Sequence, residues 1–336
     1  MTIIGVMGCS ALLVGAFGLY DGLNDVKEWE YNQINHYDSK LVIDEDALIS
    51  QVDSVASEVN GEKIMEGSIE IESDTMKKSG SLLVLGDYSL ITPTDNDWNK
   101  IEIKNDEVLI SQKMADMLGV GVGDTVKWYI MGSNKWIKTK IDKIHADPIS
   151  QGIIMSPDKL EKLGFNYAPT GIITSEHVNK TFDGIKSINS IDGIENSWDD
   201  ITETMWLIIY VLIFFACLLA IIVLYNLGLL SFTEIEREIS TLKVLGFKSK
   251  DLRRLLLTQN LFFTVIGFIL GMPLGLYILG LMWQSSGDAF YIIPSLTITN
   301  VLLTAAIIFS LSIVVNLMFS RKIKKLNMVE SLKRIK

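Results

Sequence analysis

The run MWLIIYVLIFFACLLAIIVLYNLGLL, residues 205–230, holds 26 residues and no Asp, Glu, Lys or Arg. As a helix rising about 1.5 Å per residue it covers a hydrocarbon core of roughly 30 Å. Three more uncharged apolar stretches occupy residues 2–20, 259–283 and 298–320. Lipid offers the backbone no hydrogen-bond partners, so a chain crosses it as helices that satisfy their own N–H and C=O groups. One such stretch could be the buried helix of a water-soluble core; four of them predict four transmembrane helices. A hydrophobic content of 49% and a mean hydropathy of +0.31 agree with that reading.

Charge is divided as sharply as hydropathy. Residues 21–204 carry 34 acidic and 17 basic side chains, whereas residues 205–336 carry 13 basic and 6 acidic ones. Lys and Arg close to spans mark the cytoplasmic side. Here they cluster in the connection 231–258 (Arg237, Lys243, Lys248, Lys250, Arg253, Arg254) and in the tail 321–336, while the short connection 284–297 has none. The expected topology puts both termini in the cytoplasm and residues 21–204 outside the cell, with 284–297 as a short external loop. Cys9 and Cys217 both fall within spans, so the external segment has no disulfide framework and needs a packed core.

About 180 residues suffice for such a core, and local signals give the segment an α/β character. Residues 39–43 and 68–71 alternate like half-buried strands on either side of a helical stretch, 46–59. A strand at 107–110 leads into a helix at 112–118 that Gly119 ends. The turn Gly121-Val122-Gly123-Asp124 then feeds a strand at 125–130, and Gly132-Ser133-Asn134 turns it into a partner strand at 136–144. Ser156-Pro157 reads as an N-cap followed by proline at the first helical position, with Gly164 beyond the helix.

Within the third span Gly267, Gly271 and Gly275 recur every four residues. That spacing lines three glycines along one helix face and lets another helix backbone approach closely. Pro273 predicts a kink there. Between the second and third spans the chain turns polar but stays helical. Ile235, Ile239 and Leu242 share a face, with Glu234, Glu236, Arg237, Glu238 and Lys243 around it. Gly246 breaks this helix, and Ser249 is placed to cap a second one with Asp251 in its first turn. Physical reasoning leaves two readings: a stiff hairpin that carries a push into the membrane, or a solvated basic loop that fixes topology.

The stretch REISTLKVLGF, residues 237–247, resembles the cytoplasmic segment of FtsX-like (MacB-type) ABC transporter permeases. Residues 108–126, running from Val108-Leu109-Ile110-Ser111 to Leu118-Gly119-Val120-Gly121-Val122-Gly123-Asp124-Thr125-Val126, are similar to that family's external domain, and residues 323–333 to its ending. The order of one span, an external domain and three further spans matches the family plan. The resemblance implies an α-helical membrane protein with four transmembrane helices and an extracytoplasmic, MacB periplasmic-core-like α/β domain between helices 1 and 2. It also implies that the 231–258 hairpin docks on a separate cytoplasmic ABC ATPase through Glu234, Arg237, Glu238, Ile239, Leu242, Lys243, Leu245, Gly246 and Phe247. ATP-driven closure of two ATPases would then move two permease units, as a homodimer or with a second permease half, and the external domain would act on a peptide, lipid or protein partner. Met1 sits directly at the first span without the family's preceding basic segment, which leaves open a full subunit or the C-terminal half of a larger permease.

A nucleotide-binding site needs a G-x-x-x-x-G-K-[ST] loop, and the nearest fragment, Gly246-Phe247-Lys248-Ser249, lacks the first glycine. His36, His145 and His177 lie far apart, and H-E-x-x-H, C-x-x-C and G-x-S-x-G patterns do not occur. The spans hold no ionisable acid or base of the kind that ion-coupled carriers place at membrane depth. The expectation is a non-catalytic subunit with no cofactor, no metal and no nucleic-acid partner. The competing class is a membrane-anchored sensor or scaffold that regulates an external partner without transport.

Overall fold

The computed structural model describes residues 2–74, 76–133, 135–244, 249–285 and 287–324. The chain divides into two units, one of residues Met1–Gly22, Thr204–Met282 and Pro294–Lys336, the other of Leu23–Glu203 and Trp283–Ile293.

The second unit is an α/β domain built around strand β2 (Glu62–Glu72). Its first residues pair with β9 (Gly171–Thr174), its last with β5 (Thr125–Ile130), and residues 65–72 pair with β3 (Lys77–Val84), all antiparallel. From one edge the sheet runs β10 (Ile185–Ser190), β1 (Ser39–Ile43), β9, β2, β3, β8 (Gly152–Met155), β4 (Val108–Ser111) and β7 (Lys143–His145), with β6 (Ile137–Lys140) paired on β5. The β3–β8 and β4–β7 pairs are parallel. Every residue of β4, β8 and β9 is buried. Full burial on both faces selects unbroken runs such as Gly-Ile-Ile-Met and Gly-Ile-Ile-Thr rather than alternation.

Short helices close the cores. Helix α2 (Ile49–Glu58) turns Val52, Val55 and Ala56 onto Leu41 and Ile172. Helix α3 (Gln112–Leu118) buries Met114, Ala115 and Leu118 against Ile69, Ile71 and Trp128, and ends where Gly119 takes φ 65°. Helix α4 (Pro157–Lys162) is capped by Ser156, whose Oγ accepts from Lys159 N at 3.1 Å.

The sequence reads 136–144 as one strand, whereas the chain changes partner there. Ile141 N still donates to Asp124 O at 2.8 Å, but Asp142 N donates to Val108 O and its Oδ2 accepts from Val108 N, both at 2.9 Å. Asp142 thus hands the chain from β5 to β4. The connection read as a short loop also carries more structure than its composition indicates. Tyr291 and Ile293 join a core with Trp29, Ile34, Leu85 and Ile91, Tyr291 N donates to Pro148 O at 3.0 Å, and Lys78 pairs with Asp288 at 2.6 Å.

The first unit holds helices α1 (Thr2–Glu28), α5 (Ile191–Val244), α6 (Ser249–Ser285) and α7 (Ile298–Lys324), the outer ends of α1, α5 and α6 lying in residues of the α/β unit. A π-helical turn, Trp29–Ile34, follows α1. Four helices among the described residues are long and apolar enough to cross a membrane. Val6, Leu13 and Phe17 of α1 pack with Ala216, Ala220 and Leu224 of α5 and with Ile308 and Val315 of α7. Outward positions such as Leu207, Phe214, Phe262, Ile269 and Leu302 are exposed and apolar too. Helices apolar on both inner and outer faces suit lipid as surroundings. The architecture is four apolar helices with an α/β sheet domain between the first and the second.

Candidate functional site

Helix α5 continues unbroken to Val244 and α6 opens at Ser249, so Glu234, Arg237, Glu238, Ile239, Leu242 and Lys243 fall on the last turns of α5. Ile239 and Leu242 are three residues apart and share a face. The side chains of these six residues, and Leu245, Gly246 and Phe247 altogether, lie outside the described residues.

The glycine face of α6 is turned to α1. A Cβ built on Gly267 would stand 2.7 Å from Val6 Cβ and 2.9 Å from Ile3 O. On Gly271 it would stand 2.6 Å from Ser10 Cβ and 2.7 Å from Met7 O, and on Gly275 2.7 Å from Val14 Cβ and 2.9 Å from Ala11 O. The repeat of four on α6 meets a repeat of four on α1, so the two backbones touch over two turns with van der Waals contact as the binding force. Pro273 lies on the same helix, which continues through it.

Helix α6 meets α7 differently, through uncharged polar side chains. Asn260 Nδ2 donates to Asn316 Oδ1 at 2.6 Å, Thr264 Oγ1 lies 2.8 Å from Ser312 Oγ, and Asn316 Nδ2 donates to Ser312 Oγ at 3.4 Å. The i, i+4 pairs Asn260/Thr264 and Ser312/Asn316 carry this signal in the sequence, where a search confined to charged residues passes over it. Each such bond contributes about 0.6 kcal/mol on average in a membrane.

At the opposite end α1 holds the start of α7. Asp21, 2% exposed, accepts from Thr297 N at 2.8 Å through Oδ2 and from Asn300 Nδ2 at 2.7 Å through Oδ1. Thr297 caps α7, its Oγ1 accepting from Asn300 N at 3.3 Å. Asp21→Ala strands one buried donor, Asn300 Nδ2, and one part-buried donor, Thr297 N. The expected cost is about 2–3 kcal/mol, read as a lower unfolding temperature in lipid nanodiscs, with Asp21→Asn retaining part of the stability. An alanine variant as stable as the parent would refute this role for Asp21.

Residues 210–325, from within α5 to just past the end of α7, match a family model described as FtsX-like permease C-terminal. Over 137 residues the chain is 29% identical to a macrolide export ATP-binding/permease protein MacB of a Shewanella species, covering 41% of this chain and 21% of that protein. Over 178 residues it is 28% identical to the MacB protein of Shewanella oneidensis, covering 52% of this chain and 26% of that one. The matches thus span about a fifth to a quarter of those relatives' length. The extracellular domain of the noncanonic ABC-type transporter YknZ from Gram-positive bacteria aligns with a TM-score of 0.29 at 12% identity, covering 42% of this chain and 84% of that one. The matched region takes in most of the second apolar helix and the whole of the third and fourth, and the family model and the two MacB relatives support an FtsX-like, MacB-type ABC permease family.

Proposed function

We propose that this chain is the permease subunit of an ABC-type machine in which ATP hydrolysis on a separate cytoplasmic ATPase moves an α/β domain outside the cell. The observation that carries this reading is the length of α5. One helix of 54 residues runs from Ile191 to Val244, about 80 Å at the standard rise. Within the helical unit its stretch 204–244 has no break to absorb an axial displacement. Helix α6, 37 residues long, gives the hairpin a second stiff arm.

In this reading the basic connection 231–258 lies in the cytoplasm and residues 21–204 lie outside, with both termini inside; the distribution of Lys and Arg near the spans supports it. Glu234, Arg237, Glu238, Ile239, Leu242, Lys243, Leu245, Gly246 and Phe247 form the surface that grips the ATPase. Two permease units work as a pair, each with its ATPase, and peptides, lipids or lipoproteins are the substrate classes. The chain itself performs no catalysis.

Co-purification with a co-expressed cytoplasmic ABC ATPase tests the docking surface. Glu238→Arg and Leu242→Arg should each abolish recovery of the complex while leaving the permease in the membrane. Variants that hold the ATPase as well as the parent would refute the surface and favour a membrane-anchored sensor or scaffold. Topology has its own readout: with Cys9 and Cys217 replaced by serine, a cysteine at Lys250 should react with an impermeant maleimide only after the membrane is opened.

A further inference from the structure

A cavity of about 390 Å³ lies inside the α/β domain, between the π-helical turn Trp29–Ile34 and the β3–β8 part of the sheet. Its size falls in the lower part of the range of roughly 300–1,000 Å³ typical of small-molecule sites. Its inner wall carries polar groups that the protein leaves unmatched. Glu30 is 9% exposed; its Oε1 accepts from Asn35 Nδ2 at 2.8 Å, while Oε2 has no partner among the described residues. His145 is 2% exposed, and neither ring nitrogen has a partner among those residues. Asp147, 7% exposed, accepts from Ile149 N at 2.9 Å and Ser150 N at 2.5 Å, both through Oδ1. The π-helical turn carries Glu30 to this wall, and π turns recur at functional sites.

The unmatched groups define the ligand they fit. Burying acceptors without donors is costly, and burying acids without a cation more so. Lys40 is the cation among the lining residues; it is bound to Glu66 at 2.6 Å, and although its charge also pulls on Glu30, burial and the neighbouring Asp147 hold the Glu30 carboxyl well above the usual carboxylate range. Burial pushes the His145 imidazole down to about 4, so at neutral pH it is uncharged and presents one acceptor nitrogen. An ammonium group brings a positive charge and three donors. Ile91 and Ile154, which also line the cavity, suit a short alkyl body. Among the described residues three His, Cys, Asp or Glu do not come together as a metal site, which favours an amine over a metal ion.

We propose that this cavity binds the ammonium group of a small amphipathic primary amine, with the Glu30 and Asp147 carboxyls as its acceptors. The site lies wholly in the α/β domain and does not rest on the docking of an ATPase. Calorimetric titration of the full chain in lipid nanodiscs, with empty nanodiscs subtracted, tests it with n-butylamine and its uncharged isostere n-butanol. Saturable binding of one n-butylamine per chain is expected, with n-butanol weaker by roughly tenfold or more, as for losing a charged hydrogen bond. Glu30→Gln and Asp147→Asn should each weaken n-butylamine by a similar factor. Ser68→Trp, at the exposed mouth, should abolish binding without touching the buried wall.

Acid provides another readout. Burial raises the Asp147 carboxyl to about 6, against the pull of the Ser150 and Ile149 amides. Affinity should therefore fall as pH drops from 7.5 to 5 and Asp147 gains its proton. The other titratable groups lining the cavity are Glu30, Tyr37, Lys40, Glu66 and His145, the last staying neutral until about 4. Unfolding temperatures identify any variant that fails to fold, in which case Ser68→Trp and n-butanol decide. The proposal is overturned if n-butylamine shows no saturable binding, as in a cavity holding only water. Equal binding of n-butanol, unchanged binding by folded Ser68→Trp, or an affinity flat across that pH range would overturn it too.

Discussion

A Gly152→Ala protein should lose its α/β domain. A Cβ on Gly152 would fall onto the Ser81 carbonyl oxygen and stand 2.6 Å from Ser81 N. These are backbone atoms of β3 in its parallel pairing with β8, where Ser81 faces Gly152, so no side chain can swing aside. Relief requires the strands to part, which gives up the bonds from Ser81 N to Gln151 O at 2.9 Å and from Leu85 N to Met155 O at 3.3 Å. It also opens the layer that buries Leu82, Val84, Ile153 and Met155. The expected loss exceeds about 4 kcal/mol, a large part of the total stability of a domain, ~5–15 kcal/mol. Limited proteolysis of the detergent-purified protein reads it as rapid cleavage within residues 23–203. Gly67→Ala is the matched control, since its Cβ would meet its nearest neighbour at 3.9 Å. A Gly152→Ala domain as protease-resistant as the control would show that β3 and β8 do not approach as described.

The second large effect belongs to the membrane helices. Gly271→Ala places a methyl 2.6 Å from Ser10 Cβ and 2.7 Å from Met7 O, and the latter is backbone that a rotamer change cannot move. Overpacking of this kind costs about 1–3 kcal/mol. Gly271→Leu should exceed that range, because a branched side chain forces α1 and α6 apart and exposes the neighbouring contacts at Gly267 and Gly275. Unfolding in bicelles should show the order parent, Gly271→Ala, Gly271→Leu, with Gly8→Ala indistinguishable from the parent because nothing lies within 4 Å of its added methyl. Equal stability of Gly271→Ala and Gly8→Ala would remove the close contact from the account.

Elements whose patterns repeat locally are legible in the amino-acid order alone. Charge-free runs about long enough to cover a bilayer's hydrocarbon core specify spans, because a backbone in lipid must satisfy itself one turn at a time. Gly267, Gly271 and Gly275 specify a close-contact face for the same local reason: residues four apart lie one above another. Gly119 and the Ser156-Pro157 cap mark helix ends, since the φ of one residue and the hydroxyl of another decide them within a turn.

The remaining features depend on partners distant in the chain. The glycine face does not name α1 as its partner, because van der Waals contact has no sequence code. Strands β8 and β9 are buried on both faces and therefore lack the alternation that would mark them as strands. Tyr291 reads as a loop residue until Pro148 supplies the acceptor for its N–H. Glu30 and Asp147 belong to two separate local segments, and the candidate amine site exists only because the fold brings the π turn that carries the first to the lining that holds the second. Periodicity reports the face a residue presents, whereas the group that face meets is fixed by long-range closure, which a local pattern does not encode.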